Sequence, residues 1–211
     1  MSDTSPPPLA PGEFFDSSAG HDGEQFEGRE FTFADVNETT GAKRSYKDVV
    51  RRLVKNDSGI TLNGKLLVQL DGTGTKIKGY AINGIVTTIA AAGGSIEGAH
   101  LGDVYPLDEY LPSAGLADGD WGYIVVKGSA ICITANVSVI GVTAVGNRVI
   151  AATAEDSTGQ QAHTDGGRVG VFPALVGITR IAYDTAAIGR AVSIAAVSSE
   201  VLVDMGGAGG A

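Results

Sequence analysis

The residues able to do chemistry are few and scattered. The three histidines, His21, His100 and His163, each lie in a polar or Gly-rich stretch. No two are close in sequence, and none belongs to a Cys/His cluster with zinc-ligand spacing. No Gly-x-Ser-x-Gly elbow is present to support a Ser/His/Asp triad. The single cysteine, Cys132, stands in the apolar run Ala130-Ile131-Cys132-Ile133. It has no neighbouring base in sequence to activate it and reads as a small core side chain. Asp118-Gly119-Asp120 resembles a fragment of a calcium loop, but further oxygen ligands and a closing Glu are missing, so it reads as a turn before a strand. Asp71-Gly72-Thr73-Gly74-Thr75 lacks the Gly-Lys-Ser/Thr ending of a phosphate loop and reads as a hairpin turn. Asp108-Glu109 is a carboxylate pair expected to be solvated on a loop. Catalytic, cofactor-binding and metal residues are therefore all expected to be none, and the chain is read as no enzyme.

The elements that would position any site are strands. Of 211 residues, 43% are hydrophobic but only 6% aromatic, and there are 31 glycines. Ala, Val and Ile supply most of the apolar content, which favours strands and turns over long helices. Strand-like runs occur at Gly64–Leu70, Lys76–Ile82, Ile85–Ala90, Trp121–Val126, Ala130–Thr134, Val137–Val142, Arg148–Ala152, Gly167–Phe172, Ile178–Tyr183, Ala191–Ala196 and Glu200–Asp204. Gly, Asn or Asp falls between them. Ser45–Val54 fits a short helix or a strand, with strand preferred. Such spacing predicts an all-β fold, a barrel or sandwich of short antiparallel strands with an extended N-terminal arm.

Charge divides the chain. Residues 1–40 hold nine acids against one base, Arg29, which leaves fifteen acids and fourteen bases for the rest of a chain of net charge −9. Nucleic acid is a poor partner for such a balance, because phosphates require a basic footprint. No apolar stretch approaches the ~18 residues of a membrane span, and no basic-then-apolar secretory leader opens the chain. A soluble protein made in a reducing cytoplasm is expected.

Three regions follow: an acidic arm at 1–45, a β-rich body at 46–204, and a Gly/Ala tail at 205–211 expected to be flexible. The body is interrupted by a long loop near 101–119 and a second excursion near 153–167. The arm opens Ser5-Pro6-Pro7-Pro8, which favours extended chain, yet it carries Phe14, Phe15, Phe26, Phe31 and Phe33, five of the six phenylalanines. Either these rings pack back onto the chain's own body, or they anchor in grooves of a neighbouring subunit.

Three segments resemble the small decoration (cement, or head-stabilising) proteins of tailed-bacteriophage capsids. The first runs Arg52-Leu53-Val54-Lys55-Asn56-Asp57-Ser58-Gly59-Ile60-Thr61-Leu62, with Gly64-Lys65-Leu66-Leu67-Val68, and is similar to an opening in which an Asn-x-Ser-Gly turn joins two strands. The second is Leu116-Ala117-Asp118-Gly119-Asp120-Trp121-Gly122-Tyr123-Ile124-Val125-Val126-Lys127-Gly128. The third is Ile188-Gly189-Arg190-Ala191-Val192-Ser193-Ile194 with Val201-Leu202-Val203. The similarity covers roughly residues 50–204. It implies a β-barrel or sandwich on the outer capsid face of a virion, made in the bacterial host's cytoplasm. Its partners would be the major capsid protein and itself as a homotrimer, and it would need no cofactor. The arm is then expected to clamp the shell or a neighbouring subunit through Phe14, Phe15, Phe26, Phe31 and Phe33. A carbohydrate- or receptor-binding module of a virion fibre or cell surface is the alternative, drawing on Tyr105 and Tyr110 in the 101–119 loop.

Overall fold

The structure, a computed structural model, describes residues 6–70, 81–85, 104–134, 148–151, 169–170, 189–193 and 200–206. It is all-β, with eleven strands among the described residues: β1 Glu30–Val36, β2 Lys43–Asn56, β3 Leu67–Leu70, β4 Ala81–Ile85, β5 Val104–Pro106, β6 Trp121–Lys127, β7 Ser129–Ile133, β8 Arg148–Ala151, β9 Val169–Gly170, β10 Gly189–Ala191 and β11 Glu200–Asp204. The only described helical turns are two short 3₁₀ pieces, Ser17–Ala19 and Glu24–Phe26.

β2 is the hub of the first sheet. Arg51 and Arg52 each pair with β1 on one edge and β6 on the other, both antiparallel. The end of β2 pairs with β4, the one parallel contact, and β4–β3–β5 continues antiparallel. Just after β5, Leu107 bridges Ile124 of β6, and the Asp108 N–H donates to the Tyr123 carbonyl at 2.9 Å. The sheet thus curls into a half-barrel, its β5 end reaching β6 through the isolated Leu107–Ile124 bridge.

Period-two alternation sorts β2 and β6 between two cores. Val54 and Ile124 point into the barrel, packed with Leu62, Val68, Leu70, Tyr105, Leu107, Leu111 and Leu116. Leu53, Trp121 and Tyr123 point to the opposite face and join Phe31 in a second cluster. Burial on both faces explains why β6 reads as one continuous apolar run instead of alternating with polar residues.

The second sheet, β7-β11-β10-β8-β9, is antiparallel throughout. Its long pairing sets Glu200–Asp204 against Ile133–Ser129. The Met205 N–H to Gly128 carbonyl bond (2.8 Å) ties it to the first sheet, as do the ion pairs Lys47–Asp204 (3.0 Å) and Lys65–Glu200.

Several expectations need adjusting. Ser45–Val54 lies in a strand, the preferred reading. The expected break at Asn83-Gly84 instead lies inside β4, where the register against β3 shifts between Gln69 and Leu70; a strand glycine commonly marks such an irregularity. β10 starts at Gly189, two residues before the expected Ala191. The described part of the 101–119 stretch is loop after β5, as expected, with residues 112–114 and 117–118 exposed. But β5 itself pairs with β3, and Tyr105, Leu107, Asp108, Glu109 and Leu111 are buried. At the start of the tail, Met205 is buried as well. The runs Val137–Val142 and Ile178–Tyr183, the Asp71–Thr75 turn and the 153–167 excursion lie outside the described residues.

Candidate binding surface

The N-terminal segment lies on the outer face of the barrel. It is pinned where Phe15 bridges Trp121, with N–H to carbonyl bonds of 2.9 and 3.2 Å in the two directions. The Ser17 N–H and Oγ both donate to Asp120 Oδ1, at 2.8 and 2.9 Å. The Tyr123 hydroxyl donates to the Leu9 carbonyl, and burial pushes its pKa up. Gly12 donates to Asp108 Oδ2 at 2.7 Å; its φ of 86° and a Tyr110 carbonyl that a Cβ would meet at 2.6 Å leave room for no other residue. Gly23 is equally confined, since a Cβ there would stand 2.6 Å from Trp121 Cγ and 2.9 Å from Phe15 Cδ2.

All five candidate rings rest on the chain's own body. Phe31 is core, 1% exposed, and meets Tyr123 edge-on at 6.1 Å. Phe33 also meets Tyr123 edge-on, at 5.5 Å. Phe15 and Phe26 stack at 6.1 Å and are half-buried against the same cluster, while Phe14 packs against the barrel core. Phe31 and Phe33 belong to β1, a strand of the body's own sheet, so the tract read from composition as arm contributes a sheet edge. Phe31 is fully covered there, and Phe14, Phe15, Phe26 and Phe33 stay half-buried.

What the segment leaves outside is a groove of about 760 Å³. Leu9, Phe14 and Phe15 are its apolar lining, with Glu13, His21 and Asp22 among its other lining residues. Glu13 accepts from the Ala10 N–H and Asp22 from the Glu24 N–H, but neither meets a cation among the described residues. Asp16 caps the Ser17–Ala19 turn, and hydrogen bonds from Ser18 and Ala19 hold its carboxyl below the ordinary range.

A buried charge network fastens the β1–β2 hairpin to the body. Where the β1–β2 register shifts, Asp35 accepts from Arg44 Nε (2.9 Å), Ser45 Oγ (2.6 Å) and, across the body, Ser129 Oγ (2.6 Å). Arg44 also donates to Glu109, whose other oxygen accepts the Ile131 N–H. Burial opposes the Arg44 charge, but Glu109, then Tyr110 and Asp35, outweigh it and raise its pKa. Arg51, its side chain 3% exposed, stands 3.8 Å from Asp108 and lies over the Phe33 and Tyr110 rings at 5.3 and 5.7 Å. Asp108-Glu109, expected to be solvated, is therefore a buried ion-paired site, because two arginines of β2 come to meet it.

The same packing withdraws the aromatic faces on which a sugar site would draw. Tyr105 is 8% exposed beneath Arg52, and Tyr110 lies under Arg44 and Arg51. Asp118 and Asp120 serve turns: Asp118 accepts the Gly59 N–H, and Asp120 holds Ser17. Cys132 is fully buried, which pushes its thiol up and away from reactivity. His21 lines the groove, while His100 and His163 lie outside the described residues. Among the described residues no three His, Cys, Asp or Glu side chains gather as a metal site.

Two of the sequence segments singled out above form one clasp at the barrel end. The Asn56 side chain, fully buried, donates to the Ile60 and Leu116 carbonyls and accepts from Ser58. Leu62 and Leu116 bridge, and Gly119 donates to the Asn56 carbonyl. The third segment supplies the adjacent strands β10 and β11. Compared with protein-family models, curated proteins and solved structures, the chain matches none.

Proposed function

We propose that this chain is a structural virion protein that binds the outer surface of a phage capsid and stabilises it, as a trimer, by bridging neighbouring major capsid subunits. It works through its surfaces and not by catalysis. The observation that carries the reading is the clasp. The Asn56–Gly59 turn and the Leu116–Asp120 turn, which separately resemble decoration proteins, come together through Asn56, Leu62 and Asp118 as one framework feature. The polar clusters support it further, since their hydrogen bonds and ion pairs join strands to turns: Asp35, Arg44 and Glu109 connect β1, β2 and β7.

A ligand that binds the assembled shell and not its dissociated subunits stabilises the assembly by mass action, about 2.7 kcal/mol per site at a hundredfold excess over Kd. Repetition over many sites multiplies the effect. The N-terminal segment contributes a preformed acidic face instead of a loose strap, which lowers the ordering cost of binding.

The test mixes the full chain with expanded shells of its cognate major capsid protein. Co-sedimentation, new density at three-fold positions by cryo-microscopy and a higher rupture temperature are expected. Shells that neither retain the protein nor gain thermal resistance would refute the proposal.

A further inference from the structure

We infer that the groove over Leu9, Phe14 and Phe15 is a docking site for a Lys- or Arg-bearing segment with an apolar side chain, contributed by the shell protein. The inference rests on the decoration reading for the identity of that partner. The geometry of the groove stands apart from it.

Charge is left over in the groove. Elsewhere six described carboxylates meet cations, Asp35 and Glu109 at Arg44, Asp108 at Arg51, Glu30 at Arg52, Glu200 at Lys65 and Asp204 at Lys47, while Glu38, Asp48, Asp118 and Asp120 form no ion pair among the described residues. Glu13 and Asp22, the two carboxylates that line the groove, form no ion pair among the described residues; Asp16 and Glu24 lie nearby in the same segment, and Glu27 accepts from Trp121 Nε1 at 3.3 Å. The single base of that segment, Arg29, lies over Phe26 at 5.7 Å. The segment is held in place by Phe15, Ser17 and Gly12, so its acids are presented at fixed positions. Beside them are the apolar side chains of Leu9, Phe14 and Phe15, lining an open groove of about 760 Å³. Fixed acids beside an apolar lining select a cation carried next to an apolar side chain, and disfavour an acidic strand by like-charge repulsion.

The experiment uses the full chain and two probes, the peptide Lys-Leu-Lys-Phe-Lys and its acidic twin Glu-Leu-Glu-Phe-Glu. Trp121, the only tryptophan, touches Phe15 and Gly23 and reports binding by fluorescence, while amide shifts locate it. The basic peptide is expected to saturate shifts confined to residues 9–22, and the acidic twin to leave them unmoved. The double variant Glu13→Gln/Asp22→Asn retains side-chain oxygens to accept the Ala10 and Glu24 N–H groups. It should weaken both peptide and shell binding by between about twofold and thirtyfold at low salt. The gap should close at high salt, and Asp48→Asn, an exposed site on β2, should behave as wild type. Equal response to both peptides, or a double variant that binds shells as tightly as wild type, would overturn the groove. Wild type that takes the basic peptide in the groove yet never sediments with shells would refute the decoration reading and leave the groove standing.

Discussion

Replacing Asp35 by Ala removes the centre of the buried network and provides the sharpest test of how the hairpin is held. Asp35 is 1% exposed at its side chain and accepts from three donors on different parts of the chain. Its loss leaves Arg44, only 10% exposed, with Glu109 as its remaining carboxylate, and deprives the Ser129 hydroxyl of its acceptor. Breaking a buried pair from one side costs about 3–5 kcal/mol, because the abandoned charge keeps its desolvation penalty. In a chain of this length that corresponds to a fall in Tm of roughly 6–20 °C. Urea unfolding followed by Trp121 fluorescence measures the change, with unchanged m-values required for the comparison. The triple variant Asp35→Ala/Arg44→Met/Glu109→Gln removes all three charges of the cluster and should recover part of the loss. A penalty below about 1 kcal/mol, the size expected for an exposed pair, would refute the claim that this network is dry and holds the hairpin to the body.

Gly23→Ala should force the N-terminal segment away from Trp121, at an overpacking cost of about 1–3 kcal/mol. A red-shifted Trp121 emission and faster proteolysis within residues 6–29 are the readouts. The Asp204 carboxyl is held below the ordinary range by the hydrogen bond from Lys47 and then by the Gly206 N–H. Its contribution is present above the ordinary carboxylate pKa and lost as pH falls through the lowered value, and Lys47→Met should raise the midpoint seen in an NMR titration. Both residues of this pair are partly exposed, so the accompanying stability change stays within about 1 kcal/mol.

The strands that were legible in the sequence are those whose own side chains determine them. Trp121–Val126 and Glu200–Asp204 are β-rich runs bounded by turn residues, and both are strands. The loop after β5 was legible too, from Pro106, Pro112 and four acids, but not the burial of Asp108 and Glu109, whose reason lies in Arg44 and Arg51, more than fifty residues away. One signal was readable. Asp35 is in phase with Phe31 and Phe33, two and four residues on, so a strand that buries those rings carries the carboxylate inward too. The groove was legible only in its ingredients, Phe and acid in one tract. Which rings turn inward and which line a cleft depends on the Phe15–Trp121 bridge, a contact between residues more than a hundred positions apart.

The inward placement of the rings alters how this protein would hold a partner. A loose arm tipped with phenylalanines would order on contact, at a conformational cost for each residue fixed. Here Phe15, Phe26, Phe31 and Phe33 already clad the outer face of β2 and β6, and much of that ordering is complete before any partner arrives. Binding strength must then come from what the cladding presents outward: half-buried apolar surface at Leu9 and Phe14, and carboxylates that meet no cation among the described residues. Such a face gains affinity from a rigid approach and loses it steeply with salt. An arm anchored by swapped rings would show the reverse, a shallow salt dependence and a large heat-capacity change from newly buried aromatic area. Calorimetry of shell binding at two ionic strengths separates the two, and a large negative ΔCp with little effect of salt would mean that the rings leave the body to bind.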